Sequence, residues 1–532
     1  MTIPQKPYVF NPRSVTDAVD GGQTEPGSLL AATNLIFDPS NRNLMECRPA
    51  AEKVSQFAGL TSPEAVSIAY VVNDVCYGLI SSSDVSGYDY PFAFDLVANV
   101  FYPVSGVKNS STLPATQLTT NDWVPATSAL VGELLIITHP GFPGGIGVYF
   151  GWFDITSPHA PVWNAGNTTT RALPSVPQAV AQFNNRAWFA CGPAVNYTDA
   201  LTLNISDATN VQTLTLQDTT PITALTGMPL TTSVQGILQS LVIFKADVIA
   251  YVTGDDTQGN LIVNVVSTGV GCNSPRSIAV TPLGLMFRAS DGIRVLDLTG
   301  SLKEPNQDLK NPFIYTLLPS RTSAGYNNNI YRITTKNGET SSTPIEEYWY
   351  DFRRQGWTGP HTFIQTLAIP YDNTFVCFND AIKPALFISD VVQSFGSIFI
   401  ENGSALTFTE IATPLPDDGG TYESTAVLTV VDMQLPKNGA IYNFSASDAS
   451  RGVLSSVIIQ APTVGSFWGA FTWGGGTWTG VTYGTDRYNI PWTQPLVFSR
   501  LVLEASGPSS LGFKIGKLTV GTQATNYVRI LS

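Results

Sequence analysis

Histidine is almost missing from this chain of 532 residues: there are three, His139, His159 and His361. They form no HExxH pair, and the sequence has neither a GxSxG elbow nor a Walker-type phosphate loop, which excludes the zincin, α/β-hydrolase and P-loop classes. Charge is scarce too, at 13% of residues, with 27 Lys and Arg against 40 Asp and Glu and a formal net charge of −13. Proteins that grip nucleic acid through its phosphates need clustered Lys and Arg, so that class is excluded. A soluble acidic surface, or one past which a polyanion slides without sticking, fits the balance. The five cysteines, Cys47, Cys76, Cys191, Cys272 and Cys377, are dispersed with no CxxC pair, which predicts reduced, buried thiols and no zinc site. No apolar run reaches membrane-spanning length and the N-terminus has no signal-peptide core, which predicts folding in a cytosol without export by the usual secretory route. No stretch carries an apolar helical stripe with caps, while Val, Ile, Tyr, Phe and Trp fill the apolar positions between Gly, Pro, Ser, Thr and Asn. The chain therefore reads as all-β.

What the sequence does contain is a recurring phrase, an aromatic-rich strand that closes on an aspartate. It reads PFAFD at Asp95, YFGWFD at Asp154, VNYTD at Asp199, VIAYVTGDD at Asp255, GIRVLD at Asp297, EEYWYD at Asp351 and ALFISD at Asp390. The steps are 59, 45, 56, 42, 54 and 39 residues, near the period of a four-stranded blade with variable loops. A small twisted sheet cannot bury both its faces alone, so it stacks on copies of itself. Hairpins with Asn-Asp, Asn-Asn, Asp-Asn or Gly turns precede the aspartates, and those residues tolerate positive φ. The expectation is a β-propeller of about seven blades over residues 61–392, preceded by an N-terminal arm at 1–60. From 393 to 532 the phrase is lost, and about eight short strands with tight turns predict a C-terminal β-sandwich-like domain.

Three phrases carry a resemblance: GSLLAATNLIFDP with Arg48-Pro49-Ala50, then STGVGCNSPRSIAVTPLGLMFRASDGIRVLD at 267–297, then EEYWYDFRRQGWTGP at 346–360. Together with GSFWGAFTWGGGTWTG at 465–480, they resemble the β-propeller tail nozzle, or tail hub, proteins of short-tailed, podovirus-type bacteriophages. The resemblance implies a structural virion protein of the tail, made in the host cytoplasm and assembled as a homohexameric ring. It further implies a tail adaptor ring and fibre or needle proteins as partners, and phage DNA leaving through the lumen without sequence-specific binding.

The individual residues also have plain structural readings. Trp349 and Trp357 are expected in packing between neighbouring units; Arg294, Arg353 and Arg354 are expected to pair with strand-closing aspartates or to contact a partner chain. His139 and His361, each beside a proline, read as surface or turn residues. Trp468, Trp473 and Trp478, flanked by glycines, form a candidate contact with another subunit or with a glycan, or pack within their own domain. Acidic turns at 254–260 and 416–420 could hold calcium but read better as solvated turns. No catalytic residue, cofactor site or metal site is expected, and the protein is read as a non-enzyme. The alternatives are a receptor- or glycan-binding tail protein, or a propeller glycoside hydrolase whose paired carboxylates would come from distant blades.

Overall fold

The computed structural model describes residues 6–10, 12–17, 28–41, 43–57, 63–82, 88–107, 112–114, 126–144, 147–165, 173–204, 211–212, 219–232, 236–254, 261–305, 308–314, 322–336, 345–363, 365–379, 385–389, 400–401, 404–405, 408–412, 415–416, 422–434, 441–448, 452–460, 486–490, 496–498, 500–507 and 514–528. They are almost all strand and turn; the one described α-helix is the four-residue Asn311–Ile314. The chain divides into two compact units, each interleaved in sequence: 53–346 with 364–388, and 1–52 with 347–363 and 389–532.

In the larger unit, residues 63–102, 127–165, 179–212, 224–267 and 279–303 each fold as a four-stranded antiparallel meander, giving the first five sheets. A sixth element starts with the hairpin of Ser323–Asn327 and Ile330–Lys336. The seventh sheet takes three strands from 365–388 and its fourth from Glu52–Gln56, brought from more than three hundred positions earlier in the chain. Tight turns are set by residues that accept the left-handed region: Asn73 and Asp74 have φ of 49° and 62°, Asn184 and Asn185 have 50° and 58°, and Asn328 and Asn329 have 46° and 65°.

Each sheet buries its faces against its neighbours in chain order. Tyr77, Leu79, Leu135 and Trp163 join the first and second sheets. Phe150 and Phe189, with ring centroids 4.7 Å apart, join the second and third. Trp188, Leu225 and Ile243 join the third and fourth; Phe244 and Phe287 join the fourth and fifth. Strand Ala279–Thr281 of the fifth lies beside Ser323–Asn327 of the sixth. There Gly325 backs so closely on the seventh sheet that a Cβ would sit 2.4 Å from the Ala368 carbonyl, and the Arg332 guanidinium stacks 5.2 Å over Phe375. The seventh sheet then packs back on the first through Phe57, Phe92, Phe94 and Phe378, so the series closes on itself. Each such buried side chain contributes roughly 1.5–3 kcal/mol.

The strand-closing aspartates cap the turn into the outermost strand. Asp95 Oδ1 accepts the amides of Val97 and Ala98 at 2.9 and 2.7 Å. Asp154 accepts the Thr156 amide and hydroxyl at 3.1 and 2.6 Å. Asp297 accepts the Thr299 and Ser301 amides, both at 2.9 Å, and Asp351 the Arg353 amide at 2.7 Å. Asp199 lies instead 3.9 Å from Arg186. Asp255 and Asp390 fall outside the described residues.

Among its described residues the smaller unit contains two large sheets, antiparallel except where Ser14–Val15 runs parallel to Ser28–Thr33, and a two-stranded pair of Ile400–Glu401 with Ser404–Ala405. In one, Tyr422–Gln434 pairs with Lys514–Val528, which also takes Lys6–Phe10 from the N-terminus. In the other, Ser28–Thr33 pairs with Phe408–Ala412, followed by Arg500–Gly507, Ile441–Asp448 and Gly452–Gln460. Arg48 is 1% exposed and grips Glu401 through two contacts of 2.8 and 2.7 Å, while its guanidinium stacks over Trp349. Lys514 bridges Asp38 and Glu46 at 2.6 and 2.8 Å. N-terminal strands therefore complete sheets in both units, where the sequence pattern suggested three consecutive segments; long-range strand pairing leaves no local trace.

Candidate functional site

A buried polar network lies in the larger unit, around Gly271-Cys272-Asn273-Ser274-Pro275-Arg276-Ser277. Proline fixes φ at the first position of a single 3-10 turn, Pro275–Ser277, and the Ser277 amide closes that turn on the Ser274 carbonyl at 2.8 Å. Gly271 is required by close approach: a Cβ there would lie 2.1 Å from the Lys245 carbonyl, itself backbone and unable to yield.

From this turn, side chains and backbone reach four sheets. The Cys272 amide donates to Lys245 and its carbonyl accepts Thr223 Oγ1 at 2.5 Å, both at the fourth sheet. Ser277 Oγ accepts the Arg288 amide at 2.9 Å, on the fifth. The Ser277 carbonyl accepts Tyr331 Oη at 2.8 Å, on the sixth. Arg276 crosses to the first sheet and donates to the Ser67 carbonyl.

There it meets a buried trio. Asp89 is fully buried; its Oδ2 accepts the Ser67 hydroxyl and lies 3.2 Å from His139 Nε2. His139 Nδ1 accepts the Gly141 amide at 2.9 Å, so the neutral imidazole carries its proton on Nε2, facing the carboxylate. Burial pushes the Arg276 guanidinium down to about 10, and the nearby Asp89 charge opposes that fall, so the cation persists at neutral pH. In this order the carboxylate sits between serine and imidazole, so the histidine does not activate the hydroxyl. The arrangement locks sheets together.

Both histidines expected at the surface or in turns are buried, His139 fully and His361 at 3% exposure. The turn at His139 folds inward against Asp89, and in the smaller unit His361 Nδ1 accepts the Asn34 amide at 3.1 Å. His159 is exposed. Trp357 and Trp349 are buried, and Trp349 Nε1 donates to Glu347 at 2.8 Å. Of the three arginines, Arg353 pairs with the strand-closing Asp351, Arg294 pairs with Asp291 and Glu304 instead, and Arg354 donates to the Asp38 carbonyl at 2.8 Å. All five cysteines are free and buried. Trp468, Trp473 and Trp478 lie outside the described residues, as do the acidic stretches 255–260 and 417–420. Among the described residues no group of three His, Cys, Asp or Glu could hold a metal ion, and no helix is long and apolar enough to cross a membrane.

Sequence reasoning missed an open groove. The first hairpin of the fourth sheet has nine-residue strands, Ala224–Thr232 and Gly236–Phe244, beside the shorter hairpin Ala179–Phe183 and Arg186–Cys191 of the third. The overhang leaves a cavity of about 470 Å³ lined by Gln182, Phe183, Asn184, Asn185, Gly227, Pro229 and Gln239. Among the described residues no charged side chain lines it. The only signal in sequence was the amide-rich turn QFNN, which reads equally as plain hairpin chemistry.

No family model matches the chain, and no curated protein matches it. Among solved structures it is similar to an exo-β-1,3-galactanase from Phanerochaete chrysosporium, with 10% identity, a TM-score of 0.24, and 89% of this chain and 100% of the other covered. A Trypanosoma rangeli sialidase aligns at 9% identity and a TM-score of 0.31, over 93% and 97% of the two chains. A puromycin-hydrolysing peptidase of Mycobacterium tuberculosis aligns at 11% identity and 0.37, over 69% and 54%. At such values neither activity nor substrate carries over to this chain.

Proposed function

We propose that the chain is a non-catalytic structural protein of a short-tailed bacteriophage, a seven-bladed β-propeller of the tail nozzle class. It sits in the virion tail as a homohexameric ring, is made in the host cytoplasm, and is attached to a tail adaptor ring and to fibre or needle proteins. DNA leaves past its acidic surface without being gripped.

One observation carries this reading: the phrase GCNSPRS, central to the resemblance, ties four sheets together through residues separated by up to 209 positions. A phrase shared for architecture is expected to mark proteins with the same scaffold rather than the same chemistry. The other two phrases have similar duties, since Arg48 anchors Glu401 and Asp351 caps the turn before the buried Trp357. Mass photometry of the purified chain, alone and mixed with isolated tail-adaptor complexes, tests the reading. A discrete ring mass, or a monomer that becomes a ring on adaptors, supports it; a persistent monomer that ignores adaptors refutes it.

The open groove between the third and fourth sheets favours a second reading, a receptor- or glycan-binding tail protein. Hydrolysis is the weaker variant of that reading. Among the described residues the groove lining carries no carboxylate, and Asp89 is fully buried.

A further inference from the structure

We infer that the groove between the third and fourth sheets is a subsite for a neutral saccharide; the inference deepens the glycan-binding reading and is independent of the nozzle reading. Its volume of about 470 Å³ falls within the range of small-ligand sites. Its polar lining is amide: Gln182, Asn184, Asn185 and Gln239. Each amide offers donors beside an acceptor, the pattern that satisfies adjacent sugar hydroxyls, which themselves both donate and accept. With no charged side chain among the described lining residues, a sialic or uronic acid would leave its carboxylate desolvated without a partner there, and such a ligand is disfavoured.

The lining is held in place before any ligand arrives. Asn184 and Asn185 are fixed in the left-handed region by the turn, and Asn184 Nδ2 donates to the Gly254 carbonyl at 3.1 Å, leaving Oδ1 to accept. Gly227 keeps the floor open, since a Cβ there would approach the Gln182 carbonyl at 3.0 Å. Pro229 pairs across the hairpin with Gln239, and Ile237, 72% exposed, projects from the same face two residues along. That aliphatic rim suits the C–H face of a sugar ring. Phe183 is 2% exposed and cannot serve as a stacking platform, so single-site affinity is weak and useful binding requires several copies.

The test is saturation-transfer NMR on the full chain with lactose, cellobiose, maltose and diacetylchitobiose, set against sialyllactose and glucuronic acid. The expected result is transfer to at least one neutral sugar at millimolar affinity, weakened about tenfold or more in Gln182→Ala/Gln239→Ala, two exposed positions whose loss removes about two hydrogen bonds. Asn185→Gly, which keeps the positive φ, is expected to weaken binding in the same way and guards against misfolding of the first variant. Absence of transfer to every neutral sugar overturns the inference, as does binding unchanged in both variants. Binding of acidic sugars alone, insensitive to these variants, overturns this site and its ligand class while leaving a glycan-binding protein standing.

Discussion

Replacing Arg276 probes the network that joins the sheets. In Arg276→Ala, the carbonyl of Ser67 loses a charge-assisted donor and Asp89, fully buried, loses a favourable positive charge. Leaving a buried carbonyl without its charged donor costs about 1–3 kcal/mol, and losing the favourable field between the guanidinium and Asp89 adds to that, which places the expected loss at about 3 kcal/mol. At about 2 cal/mol/K per residue of unfolding entropy, a unit of roughly 300 residues loses about 5 °C in melting temperature. Asp89→Asn removes the charge that supports the guanidinium while Arg276 keeps the Ser67 carbonyl, and is expected to cost less. The double variant removes both charges, and a cycle measured by calorimetry is expected to return a coupling of about 2 kcal/mol. Additive single effects, with coupling below about 0.5 kcal/mol, would refute the claim that this pair, rather than packing, holds the turn in place.

Other consequences are sharp enough to measure. Gly271→Ala drives a Cβ into the Lys245 backbone and is expected to yield insoluble protein, whereas Gly269→Ala, in open space, leaves solubility unchanged. Phe57→Ala, at the closure between seventh and first sheets, is expected to cost about 3–5 kcal/mol in chemical denaturation and to speed proteolysis of the larger unit. Burial pushes Asp297 up, but Lys303, Thr299 and the Ser301 and Thr299 amides outweigh it and hold the carboxyl at about 2, below its ordinary 3.8. Its stabilising contribution is therefore complete above pH 3.8 and lost as pH falls towards 2, and Asp297→Asn is expected to flatten that acid limb of the melting curve. Burial raises the Cys191 and Cys272 thiols to about 11, so iodoacetamide at pH 8 is expected to label neither in the folded protein and both after denaturation.

Features with a local cause were legible in the sequence. Asn184-Asn185 and Asn328-Asn329 adopt positive φ in hairpins, as their residue types imply. Asp95, Asp154, Asp297 and Asp351 recur because each caps the same turn with its carboxylate, and the recurrence could be counted without knowing that reason. Features with a distant cause were not legible. Nothing near Glu52–Gln56 says that it pairs with residues of the seventh sheet, and nothing near Arg276 names Ser67 or Asp89. The burial of His139 and His361 was not legible because a neighbouring proline reports a turn but not which way the turn faces. The groove depends on a difference in hairpin length between two sheets, a comparison that becomes meaningful only once they are known to be adjacent.

The central claim, that this scaffold is part of a phage tail, is tested most directly by electron microscopy of intact particles carrying a gold-labelled antibody to the chain. The account predicts label at the distal end of the tail, on a ring whose averaged end views have sixfold symmetry. Label confined to the capsid, or particles without the chain, would contradict it.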